Sequence, residues 1–160
     1  MNKLIGILGA VIVVVAIFII NFFVMPTETQ SVKLYYYNPG LDRDKSGNIL
    51  CSRQGLEVVD RKIPTTQNPI VDTIRLLLNG GITGEERSRG VITEYPLAGL
   101  ALENTNLKNG TLTLTFDDPN NKTSGGACRA GILWFQIEAT AKQFPEVKEV
   151  LFVPEELFQP

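Results

Sequence analysis

The chain has 160 residues, with 15 Lys and Arg against 17 Asp and Glu, and the two signs are interspersed. A protein that binds nucleic acid needs a basic face to neutralise phosphates, so this balance argues against a nucleic-acid partner. The sequence has no histidine, which removes the commonest general base, the nucleophiles that depend on it and the commonest zinc ligand. A carboxylate pair, a lysine or a cysteine could still catalyse. Since no motif assigns such a role, we expect no catalytic residue, no cofactor-binding residue and no cofactor.

An apolar run extends from Leu4 to Met25 and contains no charged side chain. At about 1.5 Å per residue, a helix of this length spans a hydrocarbon core of about 30 Å. The run ends in bulky residues, which favours an uncleaved anchor over a cleaved signal peptide. Lys3 precedes it and Glu28 is the first charge after it, so we expect the N-terminus in the cytoplasm. The sequence thus predicts a single-pass protein of the cell membrane with an extracytoplasmic domain.

Hydropathy divides the chain into four parts. We predict a cytoplasmic stub with the anchor at 1–25, a polar linker at 26–31, one α/β domain at 32–153 and a short tail at 154–160. A domain of this size is large enough to have its own core. The linker is too short to carry the domain far, so the domain is expected close to the bilayer surface.

The first half of the domain is predicted to contain two strands and one helix. Residues 32–38 are rich in β-branched and aromatic side chains and end in an Asn-Pro-Gly turn, and residues 54–63 form a second extended segment. Residues 68–80 show helical spacing of apolar side chains, with an Asn-Pro N-cap and an Asn-Gly end. Residues 82–95 are too polar for a core element and are predicted to form an exposed loop.

The second half is predicted to contain a hairpin, a longer helix and a last strand. Residues 100–107 and 111–116 alternate about an Asn-Gly turn, which is the strongest short-range signal of a hairpin. Residues 127–144 carry an apolar helical stripe, and residues 147–153 form a mostly apolar strand. The order strand, strand, helix, hairpin, helix, strand predicts an α+β fold. We expect a single mixed sheet with two helices packed on one face.

The ordered set of short motifs in this domain resembles the sporulation and germination domain known as the GerM or GerMN domain. The motifs are Val32 to Tyr36, Leu77 to Gly80, Glu86 with Gly90, Ile92 to Pro96, Gly99 with Leu102, Gln136 to Thr140 and Phe144 to Val150. The resemblance covers nearly all of residues 32–153. It implies a membrane-tethered or lipid-tethered extracytoplasmic module without known catalysis, related to ring-building motifs that assemble into envelope complexes.

One polar loop imitates the start of an EF-hand calcium loop. Asp42, Asp44 and Ser46 stand at ligand positions one, three and five, and glycine follows at position six. The twelfth position requires a bidentate glutamate, but Arg53 stands there, and the flanking segments are predicted strands. The pattern therefore favours a solvated turn, with these three residues as a weak candidate for calcium.

Cys51 and Cys128 are the only cysteines of the chain. In an exported domain they can form a disulfide, which would contribute about 4 kcal/mol through the unfolded state. The alternatives are two independent buried thiols, or a thiol at Cys128 activated by the N-terminus of the second helix. The disulfide is favoured on condition that the domain is extracytoplasmic.

Three glutamates suggest a carboxylate pair for glycan cleavage, namely Glu85, Glu86 and Glu94. Adjacent side chains usually diverge, and a Glu-Glu-Arg-Ser-Arg run is typical of a solvated loop. No motif places a second acid, so we assign no catalytic residue here.

The sequence therefore predicts a non-catalytic, membrane-anchored interaction or assembly module of the bacterial cell envelope, and the resemblance adds sporulation or germination. The expected partners are other envelope proteins or further copies of the chain. Two alternatives remain open. One is a module that binds or processes peptidoglycan, and the other is a calcium-binding adhesion module.

Overall fold

The structure is a computed structural model that describes residues 28–159. Five strands and three helices lie within these residues: β1 (Thr29–Tyr37), β2 (Leu56–Pro64), α1 (Pro69–Leu78), α2 (Gly84–Ser88), β3 (Ala101–Lys108), β4 (Thr111–Asp117), α3 (Ala127–Lys142) and β5 (Glu149–Val153). The predicted anchor lies outside the described residues. Of the helices in residues 28–159, none has both the length and the apolar character to cross a bilayer.

The α+β class and the predicted order of elements are confirmed, with one additional short helix. The predicted hairpin is also present, since β3 and β4 are antiparallel and close through Lys108 and Thr111. Its turn residues Asn109 and Gly110 both have positive φ, as a two-residue hairpin turn requires. Asn68 stands at the predicted N-cap of α1 with Pro69 directly after it, although its side chain makes no cap hydrogen bond.

The strands form two sheets, so the expected single sheet is wrong. β1 and β2 make an antiparallel ribbon, and β3, β4 and β5 make a second sheet in which β4 and β5 are parallel. The reason is that α3 packs against the outer edge of β1 and occupies its backbone groups. The Gln143 side chain accepts from Lys33 N at 2.7 Å and donates to Lys33 O at 2.6 Å, and Thr140 Oγ1 accepts from Tyr35 N at 3.1 Å.

Replacing Gln143 by alanine is expected to lower the free energy of unfolding by about 1–2 kcal/mol, because two backbone groups at the β1 edge lose their partner. Chemical denaturation of both proteins measures the difference. The matched control is Lys142→Ala at the adjacent exposed position, where only an i,i+4 ion pair is lost and the change should stay within about 0.5 kcal/mol. Equal stabilities of the two variants would contradict this assignment.

One apolar core joins both sheets to α1 and α3. The core contains Leu34 of β1, Ile74 of α1 and Leu114 of β4, each at most 1% exposed. Behind α1 the backbone turns at Gly80, whose φ is +67°. A side chain there would collide with the carbonyl oxygen of Tyr95, so this close crossing of two chain segments requires glycine.

Candidate functional site

Residues 39–52, which we call the 39–52 loop, connect β1 to the turn before β2. Asp42 lies at its base, fully buried, and its carboxylate accepts from Tyr37 Oη at 2.5 Å and from the backbone N and Oγ of Ser52, both at 2.6 Å. Burial opposes ionisation of Asp42, but the hydrogen bonds from Ser52 and Tyr37 outweigh it and hold its pKa below the ordinary value. Burial, and then the hydrogen bond to Asp42, raises the pKa of Tyr37 to about 12.

Asp44 shapes the exposed tip of the 39–52 loop. Its carboxylate accepts from Ser46 N at 2.8 Å, from Asn48 N at 2.9 Å and from Asn48 Nδ2 at 3.0 Å. The hydrogen bonds from Asn48 are the main reason that the pKa of Asp44 is lowered. Asp42 and Asp44 therefore both accept hydrogen bonds from other groups of the protein, Asp42 at the base of the loop and Asp44 at its tip.

Arg53, at the twelfth position of the calcium-like pattern, is directed towards α3. Its guanidinium lies 4.1 Å from the centre of the Phe135 ring and pairs with Glu138 at 2.5 Å. Within residues 28–159, no group of three or more His, Cys, Asp or Glu side chains is arranged to hold a metal ion. The loop thus uses its carboxylates for its own structure, and Arg53 joins it to the helix.

A calorimetric titration of the full-length chain with calcium is expected to show no binding in the micromolar range. Calcium prefers six to eight oxygen ligands, and coordination here would require breaking the hydrogen bonds of Asp42 and Asp44. The matched control is the Asp44→Asn variant, which should give the same heats as the unmodified chain. Saturable micromolar binding that this variant loses would overturn the interpretation.

A disulfide joins Cys51 to Cys128, with 5.2 Å between the Cα atoms. The structure thus supports pairing over the two alternatives, independent thiols and an activated thiol at Cys128, since the described residues contain no free cysteine. The bond connects the end of the 39–52 loop to the first turn of α3. Together with Arg53 it fixes the loop on the helix.

The 39–52 loop carries three exposed apolar side chains: Leu41 is 56% exposed, Ile49 45% and Leu50 51%. A single exposed leucine is ordinary on a protein surface. Three lie on one loop that internal hydrogen bonds and a disulfide hold in place, which makes this loop a candidate interaction surface. Sequence reasoning considered this loop only for calcium and did not use its apolar residues.

The three candidate catalytic glutamates have three different partners. Glu85 is exposed and pairs with Arg89, while Glu94 pairs with Arg129 at 2.7 Å. Glu86 is buried and receives both guanidinium Nη atoms of Arg61, at 2.7 and 2.6 Å. The structure therefore brings no two of these carboxylates together as a catalytic pair.

Glu86 also explains why the predicted exposed loop at 82–95 is wrong. Its Oε2 accepts from Thr83 N at 2.8 Å, while Glu86 N donates to Thr83 Oγ1 at 3.2 Å, which is a complete capping box at the start of α2. The hydrogen bonds from Arg61 are the largest cause that lowers the pKa of Glu86 to about 2. The Thr-x-x-Glu spacing was a signal in the sequence that could have predicted this helix.

The described residues form a small α+β domain in which the charged side chains discussed above pair with other groups of the same domain. Its 39–52 loop exposes apolar side chains and is fixed by a disulfide. A family model described as Germane, sporulation and spore germination, matches residues 33–155. The chain belongs to this family, and the resemblance to GerMN domains is confirmed.

Three chains of solved structures match this one. The tandem GerMN domains of the sporulation protein GerM from Bacillus subtilis are 18% identical with a TM-score of 0.53, over 82% of this chain and 41% of that one. At this identity the likeness shows the fold alone, and the chain spans about two fifths of the tandem structure.

A second structure, of a protein assigned as a lipoprotein from Clostridium perfringens, is 13% identical over 78% of this chain and 73% of that one. Its TM-score of 0.38 is too low to support an argument. No curated protein matches the chain.

Proposed function

We propose that this chain is a non-catalytic, membrane-anchored interaction module of the bacterial cell envelope that acts in sporulation or spore germination. The observation that carries the proposal is membership of the Germane family over residues 33–155. The proposal adds the anchor predicted from Leu4 to Met25, with the domain at the outer face of the cell membrane. Its partners are other envelope proteins or further copies of the chain.

The 39–52 loop lies at the end of β1 that is farther along the chain from the predicted anchor. β1 begins at Thr29, four residues after the predicted end of the anchor, so the start of this strand lies near the bilayer surface. The strand is 9 residues long and ends at Tyr37, directly before the loop. At about 3.3 Å per residue, the loop lies roughly 27 Å further along the strand, where Leu41, Ile49 and Leu50 are available to a partner.

The electrostatics of the described residues argue against glycan cleavage. Glycan cleavage needs a carboxylic acid whose pKa is raised, so that it can donate a proton near neutral pH. The pKa is instead lowered at every carboxyl group of residues 28–159 for which a shift is resolved: Asp42, Asp44, Glu86, Asp118 and Glu138. These groups are ionised acceptors of structural hydrogen bonds.

In vivo photocrosslinking of the full-length protein tests the proposal. A photoreactive residue at Leu50 should capture defined envelope proteins or a second copy, because this side chain is exposed on the 39–52 loop. The matched control is the same residue at Lys62, which is also exposed but lies at the end of the ribbon near the predicted anchor.

Capture of the chain alone would assign homo-assembly, and capture of other proteins would assign a heterologous complex. Identical patterns from Leu50 and Lys62, or no product from either, would refute the interaction role of the 39–52 loop. Release of soluble fragments from purified peptidoglycan by the full-length protein would refute the absence of catalysis.

A further inference from the structure

The last strand of the second sheet has an open edge. β5 pairs with β4 on one side through Glu149 to Val153, and on the other side no backbone hydrogen bond is formed by Val150 to Val153 within the described chain. In a parallel pair, alternate N–H and C=O groups of the edge strand point away from the sheet. These groups are a template for one more strand.

The outer edges of two other strands are protected, and that of β5 is not. The backbone of β1 is occupied by side chains of α3, as described above. β3 has an irregular register between Leu102 and Asn104 and carries the charged residues Glu103 and Lys108. Both features discourage pairing with a further strand. β5 has regular pairing throughout and no charge from Val150 to Val153.

The β5 edge also exposes apolar surface. Leu151 and Val153 are 46% and 40% exposed, while Val150 and Phe152, which alternate with them, face the core. A cleft of about 280 Å³ follows the edge and is bounded by Trp134 of α3 and Leu157 of the tail. An exposed apolar edge strand beside an open cleft is the surface that strand addition uses.

Charge at the ends of β5 determines what kind of strand fits. Glu149 stands at the start of the strand, and Glu155 and Glu156 follow its end, all exposed. Lys148, which precedes the strand, keeps its positive charge while its Nζ donates back to Pro145 O at 2.5 Å. The apolar edge is therefore bracketed by acidic groups.

These acidic groups disfavour a second copy as the occupant. If two β5 edges paired antiparallel, Glu149 of each copy would approach the Glu155 end of the other, and a parallel arrangement would place identical glutamates together. Like charges across a strand pair are destabilising. A strand with Lys or Arg at its ends places opposite charges at the same points.

We infer that the free edge of β5 is a strand-addition site for an extended apolar segment of a partner protein, flanked by lysine or arginine residues. The inference rests on the proposed function as an interaction module, and it specifies a second surface distinct from the 39–52 loop. Main-chain hydrogen bonds supply the pairing, Leu151 and Val153 contact apolar side chains of the added strand, and the glutamates select its basic ends.

Binding of a peptide at the β5 edge can be followed by the fluorescence of Trp134, because it is the only tryptophan of the chain and bounds the cleft. The full-length protein in detergent micelles is titrated with a synthetic peptide that alternates valine with threonine and carries lysines at both ends, and tryptophan fluorescence is followed. Leu151→Lys should weaken binding at least about tenfold, since it places a charge on the apolar edge. The matched control is Leu107→Lys, at an exposed leucine on β3, which should bind as the unmodified chain does.

Two peptide controls separate the parts of the inference. A peptide with glutamates in place of the lysines should bind at least about tenfold more weakly, and Glu155→Lys should reduce this preference. A peptide with proline at its centre should not bind, because proline cannot donate to the ladder. Circular dichroism confirms that the exposed-site variants remain folded.

Absence of a saturable fluorescence change, or equal binding by the Leu151→Lys protein, would overturn the inference and leave the crosslinking result at Leu50 unaffected. Self-association of the full-length protein that Leu151→Lys abolishes would also overturn it, since the occupant would then be a second copy. Loss of every crosslink at Leu50 with peptide binding retained would refute the role of the 39–52 loop instead.

Discussion

Glu86→Gln is expected to lower the free energy of unfolding by about 3 kcal/mol. The substitution leaves the Arg61 guanidinium, only 20% exposed, without its bidentate carboxylate. Removing one partner of a buried ion pair typically costs about 3–5 kcal/mol, and the partial exposure of Arg61 places the expected value at the lower end. It also weakens the capping box with Thr83. Urea denaturation of the full-length protein in detergent measures the difference.

The adjacent glutamate supplies the matched control. Glu85→Gln removes the same charge one position earlier, but the Glu85 side chain is 84% exposed and its pair with Arg89 lies at the surface. The expected change is within about 0.5 kcal/mol. Similar losses in the two variants would show that net charge, and not the buried pair with Arg61, causes the effect.

The same pair makes stability depend on pH in acid. The pKa of Glu86 is about 2 in the folded protein, below its ordinary value of 4.5. Because the folded-state pKa is the lower one, the contribution is fully present above pH 4.5 and is lost as the pH falls towards 2. Glu86→Gln should therefore lose less stability between these two pH values than the unmodified chain.

Removal of the disulfide by the double substitution Cys51→Ala and Cys128→Ala is expected to lower the free energy of unfolding by about 4 kcal/mol. The bond spans a sequence separation of 77 residues, and closing so long a loop strongly restricts the unfolded chain. Cys128 is exposed and Cys51 half-buried, so loss of side-chain packing adds little. Denaturation under oxidising conditions measures the change.

Chemical reduction of the disulfide provides the control for its removal by substitution. Treatment of the unmodified chain with a thiol reductant should reproduce the loss, and the double variant should not respond. Mass measurement after alkylation, with and without reduction, counts the paired cysteines directly. If the unmodified chain has the same stability oxidised and reduced, the disulfide does not stabilise the attachment of the 39–52 loop to α3.

Several parts of the fold were predictable because their signals are local. The β3–β4 hairpin follows from alternation around Asn109 and Gly110, whose backbone conformations the turn itself requires. α1 and α3 follow from apolar periodicity, and their observed ends lie within a few residues of the predicted ones. α2 was missed although its capping box, Thr83 with Glu86, is a local signal too.

The candidate site was less predictable, because its contacts join distant residues. The pattern of Asp42 and Asp44 resembles calcium ligands, but only the fold shows that Asp42 is buried against Tyr37 and Ser52. The partner of Glu86 is Arg61, 25 residues away, and no spacing rule identifies such a pair. The exposure of Leu41 and of the β5 edge likewise depends on what packs beside them.

By itself, the sequence determined all the strands, the two longer helices, their order, the family and the chemistry that the absence of histidine removes. These depend on periodicity, turn residues and composition, which act over a few positions or over the chain as a whole. Only the tertiary structure decided that there are two sheets, since this follows from Gln143 of α3 reaching Lys33, 110 residues away. It likewise selected the disulfide among three readings of the cysteines, because pairing depends on the distance between Cys51 and Cys128 in space.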